Sequence, residues 1–413
     1  MEPTINAGDT AWVLISTALV LVMTPALGFF YSGMVRRKNV LSTLNLSIIT
    51  MALVSIQWVL IGYTLAFGAT CKGLIGGLTF LGLNGVAGLP NADYAPTIPH
   101  LAFMVFQGMF AIITVALITG AVVERIKFSA LMLFSVLWFT LVYCPVAHWV
   151  WGSGGWLAKL GALDFAGGTV VHIAAGVSAM SLALLLGPRK GFKEKEPMEP
   201  GNIPMAALGA GMLWFGWFGF NAGSALTSGG LASSAFVATN ISAATAAFVW
   251  MILSWIYRRP SLLGVVTGAV AGLVAITPAA GFVQPIMGIP IGAGVAIICY
   301  YMMLFRGKTG IDESLDVWAV HGIGGTWGAL ATGIFCSAAV NSAGKNGLIY
   351  GNPKQLLLQL IGVVSVWAFA FAMTWILGKI VNAIIGLRVS PEEESVGLDI
   401  SQHGERAYGG HLK

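Results

Sequence analysis

Eleven mostly apolar stretches follow one another along this chain, near 10–33, 40–68, 99–123, 128–150, 164–187, 203–224, 232–257, 262–283, 288–305, 315–338 and 356–386. A helix needs about 20 apolar residues to cross the hydrocarbon of a bilayer, and lipid offers no partner to the backbone groups of any other open conformation. The expected fold class is therefore an all-α integral membrane protein with eleven transmembrane helices. Charge scarcity excludes the soluble alternative. Only 21 Lys+Arg and 16 Asp+Glu occur in 413 residues, or 9%, against about 25% in an average soluble domain. That is too little polar surface to enclose a globule of this size in water.

The basic residues sit between spans and sort by side. Arg36, Arg37 and Lys38, then Arg125 and Lys127, Arg189, Lys190, Lys193 and Lys195, Arg258 and Arg259, and Arg306 and Lys308 follow the odd-numbered spans. Lys379, Arg388, Arg406 and Lys413 add to the same side, whereas Lys72, Lys159, Lys345 and Lys354 are all that the other side carries. The positive-inside tendency then places the N-terminus outside and the C-terminus in the cytoplasm. This scatter in short clusters also argues against a nucleic-acid surface. The start Met1-Glu2-Pro3-Thr4 lacks a basic n-region, so no cleavable signal peptide is expected. Cys71, Cys144, Cys299 and Cys336 have no CxxC or metal-like spacing, and neither cofactor nor metal is expected. The 54 glycines suit helices that pack closely.

Phe30-Tyr31-Ser32-Gly33 near the end of the first span resembles Phe220-Asn221-Ala222-Gly223 near the end of the sixth. Histidines lie inside the fifth and tenth spans. Both pairings are five spans apart, and an odd offset places the halves in opposite orientations. Two inverted five-helix repeats, about 10–187 and 203–338, are expected, with an eleventh helix at 356–386. Together they make a transporter domain of residues 1–386, followed by a cytoplasmic tail over 387–413.

An ionisable group inside a span costs some 2.5–3.5 kcal/mol or more unless paired or wetted, so each is a candidate site. Asp164, His172, Asp316 and His321 qualify, with Glu124, His148 and Asp312 near span ends. Either histidine alone reads as a buried imidazole bonded to a carbonyl. Matched depth in opposed repeats favours instead two imidazoles meeting across a pore and sharing one N–H···N bond. Asp164 opens the fifth span and reads as an N-cap for backbone N–H groups near Gly167 and Gly168. Asp316 reads the same way for the tenth. Aromatics gather at Phe106 and Phe110 around Gln107, at Trp149 and Trp151, and from Trp214 to Phe220 ahead of Asn221 and Ser224. They suit either an interfacial belt or a vestibule holding a cation against π faces.

The run Asp164-Phe-Ala-Gly-Gly-Thr-Val-Val-His172-Ile-Ala-Ala-Gly176 closely resembles the signature of the ammonium transporter (Amt/Mep/Rh) family, Amt branch. Phe106-Gln-Gly-Met-Phe110, Trp214 through Ser224, Asp316-Val-Trp-Ala-Val-His321-Gly and Gly386 through Glu394 also resemble family segments. The resemblance implies that His172 and His321 are the twin pore histidines and that Phe110 and Phe220 form the gate. It implies that Trp151 and Ser224, with Phe110 as a shared wall, form an outer recruitment site, that Phe106 and Gln107 adjoin the pore, and that Asp164 holds the outer site in shape. It further implies a homotrimer in the cell membrane, ammonium or ammonia and methylammonium as substrates, a PII-type signalling protein as cytoplasmic partner, and a tail that takes part in regulation, although the tail's own composition reads as a mobile polar segment.

Stripping a bare ion into low dielectric is prohibitive, so the expected mechanism is capture of ammonium, loss of a proton and passage of ammonia. Net charge transport is the favoured outcome, the residues leaving the proton's route open. The chain has no TVGYG filter, no HExxH and no enzyme signature. The rival readings are an Rh-type neutral gas channel and an ammonium sensor acting through a partner.

Overall fold

A computed structural model describes residues 3–257 and 259–409. Met1, Glu2, Arg258 and Lys413, all read above, lie outside the described residues. Among those described, nine helices are long and apolar enough to cross a membrane: Ala7–Met34, Arg37–Phe67, His100–Thr119, Phe128–Leu160, Gly168–Leu186, Ile203–Gly223, Gly230–Tyr257, Pro285–Thr309 and Pro353–Ile385. The remaining two apolar windows form shorter pieces. Leu262–Ile276 has 15 residues, and Pro278 shortly afterwards has no N–H with which to extend it. The other is the π turn Trp318–Ile323 continued by Gly324–Phe335. Two small antiparallel hairpins, Thr70–Cys71 with Ile75–Gly76 and Pro90–Asn91 with Ala95–Pro99, fold the connection between the second and third long helices. The chain is a multi-pass membrane protein.

Several helices start where a side chain satisfies their orphan N–H groups. Asn6, Asn202 and Ser261 accept from Asp9, Met205 and Gly264 at 2.9–3.1 Å, each a favoured N-cap type. Packing follows the glycines. Gly209, Gly216, Gly219 and Gly223 line the face of Ile203–Gly223 turned to Ala7–Met34. A Cβ on Gly219 would lie 2.9 Å from the Ser16 carbonyl oxygen, and one on Gly216 2.8 Å from that of Leu19. Small residues are what permit such backbone approach where lipid supplies no hydrophobic drive between helices.

On the side bearing the tail, buried charges tie the turns together. Glu124 accepts from Arg36 at 3.1 Å and from Arg189 at 2.7 Å, and Arg189 also pairs with Asp312 at 2.8 Å. Burial alone would raise the Glu124 carboxyl, but Arg189 and Arg36 outweigh it and hold the group below its ordinary range. The described part of the tail, to residue 409, is folded against the helix ends. Ser390 opens Pro391–Val396 with a capping box, and Leu398–His403 follows. Asp399 Oδ1 accepts from Ser42 N at 2.7 Å and Gln402 Oε1 from Phe128 N at 3.3 Å. Both accepting groups serve helix starts whose own flanking residues, Asn39 and Lys127, make no side-chain cap.

Candidate functional site

The segment before His172 is organised by one carboxylate. Asp164 Oδ1 accepts from the N–H groups of Gly167 and Gly168 at 2.8 and 2.7 Å, and Oδ2 from Thr169 and Val170 at 2.7 and 3.1 Å. Four donors converge because Gly167 takes a left-handed conformation, φ 110°, open to glycine without strain. Any Cβ there would also press on the Trp151 ring. The carbonyl of Asp164 in turn accepts from Trp151 Nε1 at 2.9 Å. The carboxylate thus fixes the helix start, and its own backbone fixes the indole.

His172 and His321 both occupy π turns, Gly168–Ile173 and Trp318–Ile323, single wide turns that recur at functional sites. The two segments cross glycine on glycine: a Cβ on Gly176 would strike the backbone of Gly322, and one on Gly325 would lie 3.1 Å from the Cβ of His172. This close crossing brings the imidazoles together, with His321 Nδ1 3.2 Å from His172 Nδ1. One N–H can fill that contact, one ring donating and the other accepting. His172 Nε2 is buried and has no hydrogen-bond partner among the described residues.

Asp316 does not cap the second histidine's helix. It has φ 58°, uncommon for a residue with a side chain, and its carboxylate is taken by Arg306 Nε at 2.7 Å. Glu313 performs the capping instead, accepting from Val317 N at 3.1 Å and Trp318 N at 3.3 Å. Sequence reasoning missed Glu313 because it lies ahead of the apolar window. The available signal was its spacing: Glu313 precedes His321 by the same eight residues that separate Asp164 from His172.

Aromatic rings close the opposite end. Phe110 and Phe220 are buried with ring centroids 4.4 Å apart, and Trp151 meets Phe110 edge-on at 5.9 Å. Phe106 packs on Phe110 at 4.9 Å. Ser224 follows the end of the Phe220 helix, and its hydroxyl donates to the Phe220 carbonyl at 2.9 Å, which leaves the oxygen's lone pairs to accept. Gln107 Oε1 and Asn221 Oδ1 are buried without hydrogen-bond partners among the described residues. Below the phenylalanines, Trp217 and Phe220 stack against His172 at 5.4 and 6.0 Å. Trp217 was read only as part of an aromatic cluster, yet it forms the wall that orients His172. His172, Trp217, Phe220 and His321 border a cavity of about 10 Å³, roughly the room one water-sized solute needs. On the tail side a wider cavity of about 350 Å³ reaches His321 past Tyr31, Trp250, Tyr300 and Asp316.

The residues singled out from sequence therefore fall into one line: Trp151 with Phe110, then Phe220, then His172 and His321. Ser224 hangs on the Phe220 backbone, Asp164 lies behind Trp151, and Phe106 supports Phe110. The geometry offers a Trp151–Phe110 aromatic pair, a hydroxyl one turn beyond Phe220, a two-ring constriction, and a narrow apolar cavity bordered by imidazole rings. Among the described residues no group of three His, Cys, Asp or Glu converges as a metal site would require.

Known proteins resemble this chain over nearly its whole length. A model of the Ammonium Transporter Family matches residues 11–408. The chain is 53% identical over 401 residues to the ammonium transporter Amt1 of Archaeoglobus fulgidus, covering 97% of this chain and 99% of that one. Its fold is similar to the crystal structure of Candida albicans Mep2, with a TM-score of 0.89 at 38% identity over 98% of this chain and 91% of the other. It is also similar to a structure described as a sensor Amt protein, with a TM-score of 0.88 at 30% identity over 96% and 98%. With a family match spanning nearly every span and a relative more than half identical, the chain belongs to the ammonium transporter family.

Proposed function

We propose that this protein recruits ammonium at Trp151, Phe110 and Ser224, removes a proton there, and conducts ammonia past Phe110 and Phe220 and along His172 and His321, the proton crossing separately through the imidazole pair. The observation that carries this reading is the 3.2 Å contact between His172 and His321 in an apolar passage one small solute wide. A hydrated cation does not fit such a passage, and shedding its shell in low dielectric is prohibitive. Ammonia does fit, and it can exchange hydrogen bonds with successive ring nitrogens. Upstream, π faces attract a cation by about 0.5–2 kcal/mol each, and the Ser224 oxygen can accept one of its N–H groups. Phe106 and Gln107 shape the wall and Asp164 supports it.

The same reading assigns eleven membrane crossings in two inverted repeats, about 10–187 and 203–338, plus a final helix, with the N-terminus outside the cell membrane and the tail in the cytoplasm. The matched π turns and carboxylate caps support the repeat, and the basic turns support the orientation. A homotrimer, and a PII-type partner at the cytoplasmic face, belong to the same proposal, and family membership supports them.

Proteoliposomes test the proposal. An ammonium pulse should give a current, and radiolabelled methylammonium uptake should be competed by ammonium. Replacing His172 and His321 together should abolish the current while the protein stays folded. Electrically silent uptake would remove the separate proton route, and a current unaffected by the double substitution would remove the pore assignment. A second reading, an ammonium sensor that signals through a partner, is favoured by the ordered tail and the similarity to a sensor Amt protein. It predicts partner binding that depends on ammonium with negligible flux.

A further inference from the structure

Gln359 lies on Pro353–Ile385, outside both proposed repeats, and is 3% exposed. A buried primary amide on an otherwise apolar helix is costly unless its donors and acceptor are all used. Here they are. Gln359 Oε1 accepts from Leu163 N at 2.6 Å while Nε2 donates to the Leu163 carbonyl at 2.7 Å, a two-point clasp on one residue's backbone. Nε2 also donates to the Ala329 carbonyl at 3.1 Å, on the helix that carries His321. One turn earlier, Gln355 Nε2 donates to the Gly161 carbonyl at 2.9 Å and to Gln359 Oε1 at 3.3 Å.

Leu163 is the residue before Asp164, whose carbonyl holds the Trp151 indole at 2.9 Å and whose carboxylate starts the His172 segment. The clasp grips residues 161–167, the non-helical link that leads directly into the His172 segment, near its middle. From this geometry we infer that Gln359 is a positioning residue for substrate capture. It fixes the backbone at Leu163 and Asp164, and so the orientation of the Trp151 ring, and it ties that ring to the half bearing His321. The inference rests on the reading of Trp151 as part of the recruitment site.

Radiolabelled methylammonium uptake into proteoliposomes separates the alternatives. Gln359→Leu keeps the side chain's bulk but strands the Leu163 N–H and carbonyl. It should raise the half-saturation concentration about tenfold with the maximal rate within about twofold. In a double-mutant cycle with Trp151→Leu the effects should fall well short of additive, because the first acts through the second. Independent effects, or a fall in maximal rate alone, would overturn the inference. Where Gln359→Leu fails to assemble, Gln359→Asn, which retracts the amide by one methylene, provides the same readout. If neither variant assembles, Gln359 serves folding and the positioning role is overturned. If Trp151→Leu alone leaves half-saturation unchanged, the recruitment reading fails and takes this inference with it. An effect of Trp151→Leu without one of Gln359→Leu sinks the inference alone.

Discussion

Asp164 and Glu313 stand in the same relation to the two histidines: each lies eight residues ahead of one and accepts the backbone N–H groups that open its segment. The debt is larger at Asp164, which serves four donors rather than two. Asp164→Ala strands all four in a buried site, at about 1–3 kcal/mol for each left unsatisfied, whereas Asp164→Asn keeps one acceptor oxygen. The alanine variant should lose most folded protein in detergent and nearly all uptake, with the asparagine variant in between. Equal thermal midpoints for the two variants would contradict the four-bond account.

The buried charges behind the proposed cytoplasmic face act as a unit. Glu124 is 1% exposed and faces two arginines, so removing it leaves Arg36 without its carboxylate partner and Arg189 with Asp312 alone. Glu124→Ala should destabilise the protein by about 3–5 kcal/mol. The folded carboxyl lies below its ordinary value near 4.5, so its stabilisation is present above that pH and is lost as the pH falls through the folded value. Thermal melts at low and high salt should give similar losses for this variant, since a buried pair is little screened. A loss that vanishes in high salt would mark an exposed, weak pair instead.

How much of this was legible in the chain depends on what each residue is surrounded by in sequence. His172 and His321 stood out because polar groups are so rare inside apolar windows. Asp164 stood out because glycines follow it. Glu313 did not, because it lies in a polar turn beside Asp312 and Asp316, and only coordinates show that Arg306 occupies one carboxylate while the backbone takes another. Gln355 and Gln359 passed as neutral residues on an apolar helix, since their partners are backbone groups nearly two hundred residues away. The hairpins of residues 70–99 carry no period-two apolar pattern to announce them. The described part of the tail is held by its own Ser390 capping box and by the helix starts it caps, contacts that composition alone does not announce.

That borrowed capping gives a local test. Asp399 supplies the bond from Ser42 N that Asn39 does not, because Asn39 uses its oxygen on Leu398 N and its amide on Glu124. Losing an N-cap costs about 1 kcal/mol, or roughly fivefold in local opening. Asp399→Ala should therefore speed amide exchange at residues 40–43 by about that factor and leave the His172 segment unchanged. Uniform acceleration across the protein would mean that the tail supports global rather than local stability.

Glu313 predicts a pH dependence of opposite sign to Glu124. Burial, with the neighbouring Asp316 carboxylate adding to it, raises the Glu313 carboxyl to about 7 from an ordinary 4.5. The folded state then binds the proton more tightly than the unfolded chain, so the contribution to stability is complete below about pH 4.5 and falls away as the pH rises towards 7. Glu313→Gln mimics the protonated form and keeps one oxygen for Val317 N. In detergent at pH 5 the wild-type protein and this variant should melt within a few degrees of each other. By pH 8 the wild-type protein should have lost ground, because only it must hold a buried charge beside Asp316. A difference between the two that stays constant from pH 5 to 8 would show that Glu313 does not titrate across this range, and that its two backbone N–H bonds outweigh its burial.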